Sequence, residues 1–552
     1  MYSRIVCASI YLLLTLGSAH AEERANSTKL NILHIIVDDL RPEITSYGLP
    51  DRHTPNIDSL VKNGIAFDRA YAQIAVCGPS RNSLLSGRRP DTSRSWNFIN
   101  HFREDHPEWT SLPGLFKKAG FNSFGSGKVY HPFVPPNWDG DKSWSALSLP
   151  FQNPCWFYGI SCVPCVDRKG FKVEPKCNDG GFGPGDVRTC WCEVEAVEDI
   201  LTVDHALELM DFAAFDFHSP MNKNFYLAVG LHKPHLPWQA DKKHFDKFPL
   251  ENISVAAHKM APVDMPGIAF ASCDSKSPWD PLNDTEARHA RRGYYAATAG
   301  MDEQVGRLLD ALKKRNLLNS TVIALHGDHG WQLGEHGEWR KNTNFELGTR
   351  VPLVISGPDM WLPKSRQGQR SAGLSELVDL MPTLGEIAGL DVHSLVNGET
   401  PLEGTSLLPL ILGEMPEVKN ASFSQYPRNP KNMSRPYEQN GIDHTNRTLF
   451  KVMGYSIRVD EWRYTEWRYW NPQDLVADWT PTGLMAAELY DHRGLKPYPT
   501  DFDISENVNL AEKKDFAEIR VSLASQLKRQ YYHTRTDIRS ELKTSLQMDT
   551  AS

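Results

Sequence analysis

The chain reads as an α/β protein: a sandwich of helices around a large mixed, mainly parallel sheet, with a smaller C-terminal α+β domain. Three observations carry this reading. Several short runs are apolar and rich in β-branched residues, which suits strands buried on both faces. Segments with apolar residues near helical spacing separate them, as in βα units. Past residue 448 apolar and polar residues alternate, which suits antiparallel strands. With 552 residues and 40% hydrophobic content, the chain can bury cores of this size.

Taken in order, Arg4, the apolar run Ile10 to Leu16 and Ala19-His20-Ala21 read as a signal peptide over residues 1–21. That run is too short to span a bilayer, so the mature protein is expected to have no membrane span and to be lumenal or secreted. Seven Asn-x-Ser/Thr sequons at Asn26, Asn252, Asn283, Asn319, Asn420, Asn432 and Asn446 agree with this route. Asn31 to Val37 predicts a buried strand ending at Asp38-Asp39. Phe225 to Val229 predicts a second, leading to His232. Ala287 to Lys314 predicts a long helix. Thr321 to Leu325 predicts a strand ending at Asp328-His329, and Val351 to Ile355 another. These segments assign residues 22–428 to one large domain. Residues 429–447, rich in Pro, Asn, Ser and Arg, read as a linker or processing loop. Residues 448–552 form the second domain, with alternation from Lys451 to Tyr469 and a helical tail from Ala511 to Tyr532. A net charge of −8 excludes nucleic-acid binding by bulk charge.

Of nine cysteines, six cluster at Cys155, Cys162, Cys165, Cys177, Cys190 and Cys192. In an oxidising compartment these predict a disulfide-linked insertion over 155–192, with a zinc site as the rival at Cys162-Val163-Pro164-Cys165. Cys273 is left over.

The remaining mature cysteine heads the most specific motif. Cys77-Gly78-Pro79-Ser80-Arg81-Asn82-Ser83-Leu84-Leu85-Ser86-Gly87-Arg88 follows C-x-P-S-R-x-x-x-L-S-G-R. Pro79 suits the first turn of a helix, whose backbone donors and dipole favour an anion. Asp38-Asp39 and Asp328-His329, both at strand ends, offer oxygen-rich ligation suited to Ca²⁺ or Mg²⁺.

The Cys77 motif resembles the signature of type I sulfatases, the formylglycine-dependent members of the alkaline-phosphatase-like group. Further segments are similar to the branch of that family that removes 2-O-sulfate from terminal iduronate in heparan and dermatan sulfate. They include Ile35 to Pro42, Gly87 to Thr92, Gly127 to Pro132, Ala228 to His235, Asp328 to Trp331, Gly334 to Trp339, Ser424 to Arg428 and Met453 to Arg458. The resemblance implies that Cys77 is oxidised to formylglycine by a formylglycine-generating enzyme. It implies one Ca²⁺ held by Asp38, Asp39, Asp328, His329 and residue 77. Arg81 would hold the hydrated aldehyde, and Lys128 and Lys341 the sulfate. His131 would act on the second hydroxyl and His232 would protonate the leaving oxygen. It implies a sulfated glycosaminoglycan substrate and a lysosomal or secreted location. Trp331 is placed beside the substrate, and Arg463 and Arg468 are candidates to grip the uronate carboxylate. His235 and His336 read as loop-orienting or structural. The chain departs from the branch at Trp96-Asn97-Phe98, at Asn342 and in the cysteine-rich stretch. Two alternatives stay open: another sulfated polysaccharide, or hydrolysis of phosphate or phosphonate monoesters.

Overall fold

A computed structural model describes residues 30–145, 165–166, 172–173, 191–193, 196–271, 280–495 and 505–533. The expected signal peptide, the side chains of the cysteine-rich insertion and Cys273 lie outside the described residues.

The larger sheet has seven strands: β1 (Asn31–Val37), β2 (Gly64–Tyr71), β3 (Asn122–Gly127), β4 (Phe225–Leu231), β5 (Thr321–Gly327), β6 (Arg350–Ser356) and β7 (Gln369–Glu376). Their order is β7-β2-β6-β5-β1-β4-β3. Neighbours β3, β4, β1 and β5 run parallel, as do β7 and β2, and β6 is antiparallel to both β2 and β5. The central strands are buried on both faces, which is why they read as unbroken apolar runs.

Helices cover both faces. α1 (Pro55–Lys62), α4 (Val197–His218) and α5 (Asp284–Lys314) pack Ile57, Val203, Leu209, Met301 and Leu308 against Leu33, Ile35, Leu227 and Leu325. On the other face, α2 (Cys77–Ser86), α3 (Leu112–Lys118) and α6 (Leu380–Ile387) pack Leu84, Leu115 and Leu384 against Ile32, Ile36, Tyr226 and Val322. The long helix α5 starts where Asn283 accepts a hydrogen bond from the Glu286 N–H at 3.0 Å. Asp284 and Glu286 in its first turn and Lys313 and Lys314 in its last suit the helix dipole.

The second sheet comprises β8 (Ser422–Arg428), β9 (Val452–Arg458), β10 (Trp462–Asn471), β11 (Val476–Ala477) and β12 (Leu484–Asp491). Its pairs are antiparallel, in the order β8-β9-β10-β11, with β12 also on β10. Its core includes Leu523 and Leu527 of α7 (Ala517–Lys528) and also Ile74, Val76 and Trp96 from the larger domain, so the two are packed together. Residues 429–447 contain a short hairpin, Pro430–Asn432 with Arg435–Gln439. Six of the seven sequon asparagines are described, and all six are exposed.

Candidate active site

Four adjacent parallel strands deliver one polar group each at their carboxyl ends: β3 leads to Lys128, β4 to His232, β1 to Asp38-Asp39 and β5 to Asp328-His329. This is where ligands bind in open α/β sheets. Backbone bonds carry the ladder past the strand ends: the Asp38 N–H donates to Leu231 O at 3.1 Å and the Asp328 N–H to Val37 O at 3.0 Å. Lys128 approaches β4 so closely that a Cβ on Gly230 would lie 2.0 Å from its carbonyl carbon. Glycine is required there.

Cys77 is the first residue of α2, so the helix begins at the motif cysteine itself and not after it. Its Sγ is buried 3.0 Å from Asp38 Oδ1, 3.3 Å from His329 Nε2 and 2.8 Å from Lys341 Nζ. One donor atom each from Asp38, Cys77, Asp328 and His329 fits within a 4.8 Å span. Asp39, at φ 60°, keeps a buried Oδ2 with no hydrogen-bond partner. An orphaned carboxylate oxygen beside two more carboxylates is costly unless a cation joins them. The donor set therefore fits a hard divalent cation.

Cations surround the cluster. Arg81 Nε donates to Asp328 Oδ2 at 2.9 Å, its Nη1 reaches the carbonyls of Lys128 and Val129, and its Nη2, with no hydrogen-bond partner, lies 3.6 Å from Asp38 Oδ1. Lys128 pairs with Asp38, and Lys341 with Asp39 at 2.6 Å. Burial opposes ionisation of Asp38, but Lys128, His235 and Arg81 hold its carboxyl well below the usual range. Burial lifts Asp39 to about 7, against the pull of Lys341. Burial, reinforced by Asp38, pushes the Cys77 thiol well above its ordinary value, so an unmodified Cys77 is not a thiolate nucleophile.

Three histidines line the cleft. His131 stacks on Phe98 with centroids 4.1 Å apart, and a Cβ on Gly78 would touch both rings. The divergent loop Trp96-Asn97-Phe98 thus shapes the wall beside residue 77. His232 stands 4.6 Å, centroid to centroid, from His235. Burial and Lys233 push His232 down to about 4, against Glu198. Trp331 is buried, its ring 5.6 Å below Lys341 Nζ. Asn342 has φ 79°, a conformation asparagine tolerates better than an aromatic residue would. Its N–H, bonded to Ala75 O at 3.0 Å, anchors the loop that carries Lys341.

Two expectations are corrected in placement. Arg463 is buried against Glu506, and Arg468 donates to Glu466 at 2.6 Å and to the carbonyls of Asp478 and Thr480. Both guanidinium groups are engaged within the second domain, and the structure does not bring them to the Cys77 cluster. Conversely, His235 is more than a loop spacer, with a ring nitrogen within 4.8 Å of donor atoms of Asp39 and Cys77. Its three-residue spacing from His232 was the available signal. Glu198 and Asp199 were missed. Their only trace in the sequence is a pair of acids opening a helix.

The family model described as Sulfatase matches residues 30–390. The chain belongs to the sulfatase family. Iduronate 2-sulfatase of Homo sapiens is 34% identical over 536 residues, covering 86% of this chain and 91% of the relative. The Mus musculus enzyme of that name is 34% identical over 516 residues, covering 85% and 90%. Among solved structures, phosphonate monoester hydrolase from Silicibacter pomeroyi superposes with a TM-score of 0.64 at 19% identity, covering 92% of this chain and 96% of that one. That likeness establishes a shared fold, and the sulfatase membership makes this chain a sulfuric ester hydrolase.

Proposed function

We propose that this sulfatase removes the 2-O-sulfate from terminal iduronate of heparan and dermatan sulfate through a formylglycine hydrate at position 77. The observation that carries the proposal is the convergence of Cys77, Asp38, Asp328, His329, Lys128 and Lys341 in one buried cluster, in a chain 34% identical to iduronate 2-sulfatase over most of its length. Asp38, Asp39, Asp328, His329 and residue 77 would hold one Ca²⁺. Bound there, the cation would offset charge on the sulfuryl oxygens.

The rest follows from the chain's own residues. Lys128 and Lys341 hold the sulfate oxygens, and Arg81 fixes the hydrate. One hydrate hydroxyl releases its proton to water and its oxygen attacks sulfur. The S–O bond to the sugar breaks, its electron pair goes to the sugar oxygen, and His232 supplies the proton. A serine would stop as a stable sulfate ester. The hydrate has a second hydroxyl, whose proton passes to His131. The C–O bond to sulfate then breaks, sulfate leaves, and the aldehyde re-forms and is hydrated by water. Net, one water cleaves one ester.

Maturation would need a formylglycine-generating enzyme in the secretory pathway. Glycans on the exposed sequons, disulfides within 155–192 and delivery to the lysosome or outside the cell complete the proposal. The test is sulfate release from a disaccharide with non-reducing iduronate 2-sulfate. Release supports the assignment. Cleavage of an aryl sulfate with the disaccharide left intact would retain the sulfatase chemistry and reject the substrate.

A further inference from the structure

The loop after β4 holds a charge arrangement that the proposed reaction leaves unused. The Lys233 side chain is fully buried, and its Nζ lies 3.4 Å from His232 Nδ1. An ammonium at that distance opposes a proton on the same imidazole. It is fixed there by the carbonyls of Pro237 at 2.9 Å and His235 at 3.2 Å. Glu198, in the first turn of α4, answers it. One Glu198 oxygen lies 2.7 Å from Lys233 Nζ and 3.5 Å from His232 Nδ1. The next residue, Asp199, accepts the N–H groups of His232 at 2.6 Å and Lys233 at 3.0 Å. The start of α4 therefore grips the backbone of this loop with one carboxylate and its side chains with the other.

We propose that Glu198 is a positioning residue for acid catalysis. It accepts the Nδ1–H of His232, which turns Nε2 toward the leaving oxygen, and it neutralises Lys233 so that the imidazole can hold a second proton beside it. When the S–O bond breaks, the Nε2 proton passes to the sugar oxygen. Nδ1 keeps its own proton and its bond to Glu198. The inference rests on His232 being the acid. The competing arrangement has Lys233 donate to a bare Nδ1, with Glu198 serving Lys233 alone.

Leaving groups separate the two. A sugar alkoxide needs the proton, whereas 4-nitrocatecholate leaves with little help. In Glu198→Gln, kcat on terminal iduronate 2-sulfate should fall about 30-fold or more with KM little changed, while kcat on 4-nitrocatechol sulfate falls less than about threefold. Glu198→Asp should restore part of the loss. His232→Ala is the control and should show the same split, only larger. If His232→Ala lowers both substrates alike, the acid assignment fails. If His232→Ala splits them and Glu198→Gln does not, the inference about Glu198 is overturned. Should Glu198→Gln fail to fold because Lys233 is left buried and unpaired, the double variant Glu198→Gln/Lys233→Met removes that charge and tests orientation alone: it should still split the substrates, by less than Glu198→Gln is expected to, and an equal effect on both would overturn the inference.

Discussion

Among the described residues, two separate buried clusters gather the side chains of a metal site, and they differ in whether every carboxylate oxygen already has a donor. Around Cys77, carboxylates and a histidine meet at the ends of β1 and β5, and Asp39 Oδ2 has no donor. Where the domains join, Glu346, His492 and Glu506 are packed as tightly. There every carboxylate oxygen is taken. Glu346 accepts from Tyr71 OH at 2.8 Å and Arg458 Nε at 3.0 Å. Glu506 accepts from His492 Nε2 at 2.9 Å and from the Glu346 N–H at 2.9 Å, and it is ion-paired with Arg463. In the second cluster every carboxylate oxygen already has a donor, from Tyr71, Arg458, His492 or the Glu346 N–H, while in the first Asp39 Oδ2 has none. The first is the site we propose for an ion and an ester. The second welds two domains.

The sharpest way to break this contrast is at the open cluster. Cys77→Ser should lower turnover by about 10³-fold or more while the melting temperature hardly moves, since a trapped ester ends the cycle. Asp328→Ala should abolish both turnover and bound divalent cation by elemental analysis. It should also lower stability, because Arg81 would stay buried with its close carboxylate gone and only Asp38 at 3.6 Å left to answer it. At the saturated cluster the outcome reverses. Arg458→Met leaves Glu346 buried and short of its main cation, which should cost about 3–5 kcal/mol in denaturant unfolding. The folded fraction should keep its KM and its metal.

A smaller effect is the pH dependence of that cost. Burial resists ionisation of Glu346 and Glu506, but Arg458 and His492 hold the first, and Arg463 and His492 the second, below the ordinary glutamate value of 4.5. Groups held down in the folded state add stability above their unfolded pKa and lose it as pH falls. The stability gap between wild type and Arg458→Met should thus be constant above about pH 5 and close below about 4.5. A gap that widened with acid would contradict the ion-pair account. Smallest of all, Arg468→Ala should cost about 1–2 kcal/mol, because Glu466 loses its cation and keeps only the Tyr464 O–H, without raising KM for a uronate substrate.

Much of this was legible from the sequence, for reasons that differ by element. β1, β4, β5 and β6 were readable because burial on both faces demands continuous apolar side chains. β3 was not. In Asn122-Ser123-Phe124-Gly125-Ser126-Gly127 the two glycines are there because Trp144 lies on Gly125 and the β4 backbone lies against Gly127. Close approach selected them, and close approach leaves no periodic trace. β2 was hidden by Asp68-Arg69 within it, whose charges are met by Arg370 and Asp460.

The site divides the same way. Cys77, Arg81, Asp38, Asp39, Asp328 and His329 lie in short contiguous motifs, which is why a family resemblance could single them out. Arg463 was misplaced because its partner, Glu506, lies on a distant segment that nothing local announces. Glu198 was missed because it acts on His232 from the far end of an intervening stretch.

The claim on which all of this depends is that residue 77 works as an aldehyde and not as a thiol. A mass spectrum of the Cys77 peptide from active protein, after capture with a hydrazine, measures it directly. The account predicts a hydrazone at position 77 in proportion to specific activity. Fully active protein carrying only unmodified thiol there would contradict it.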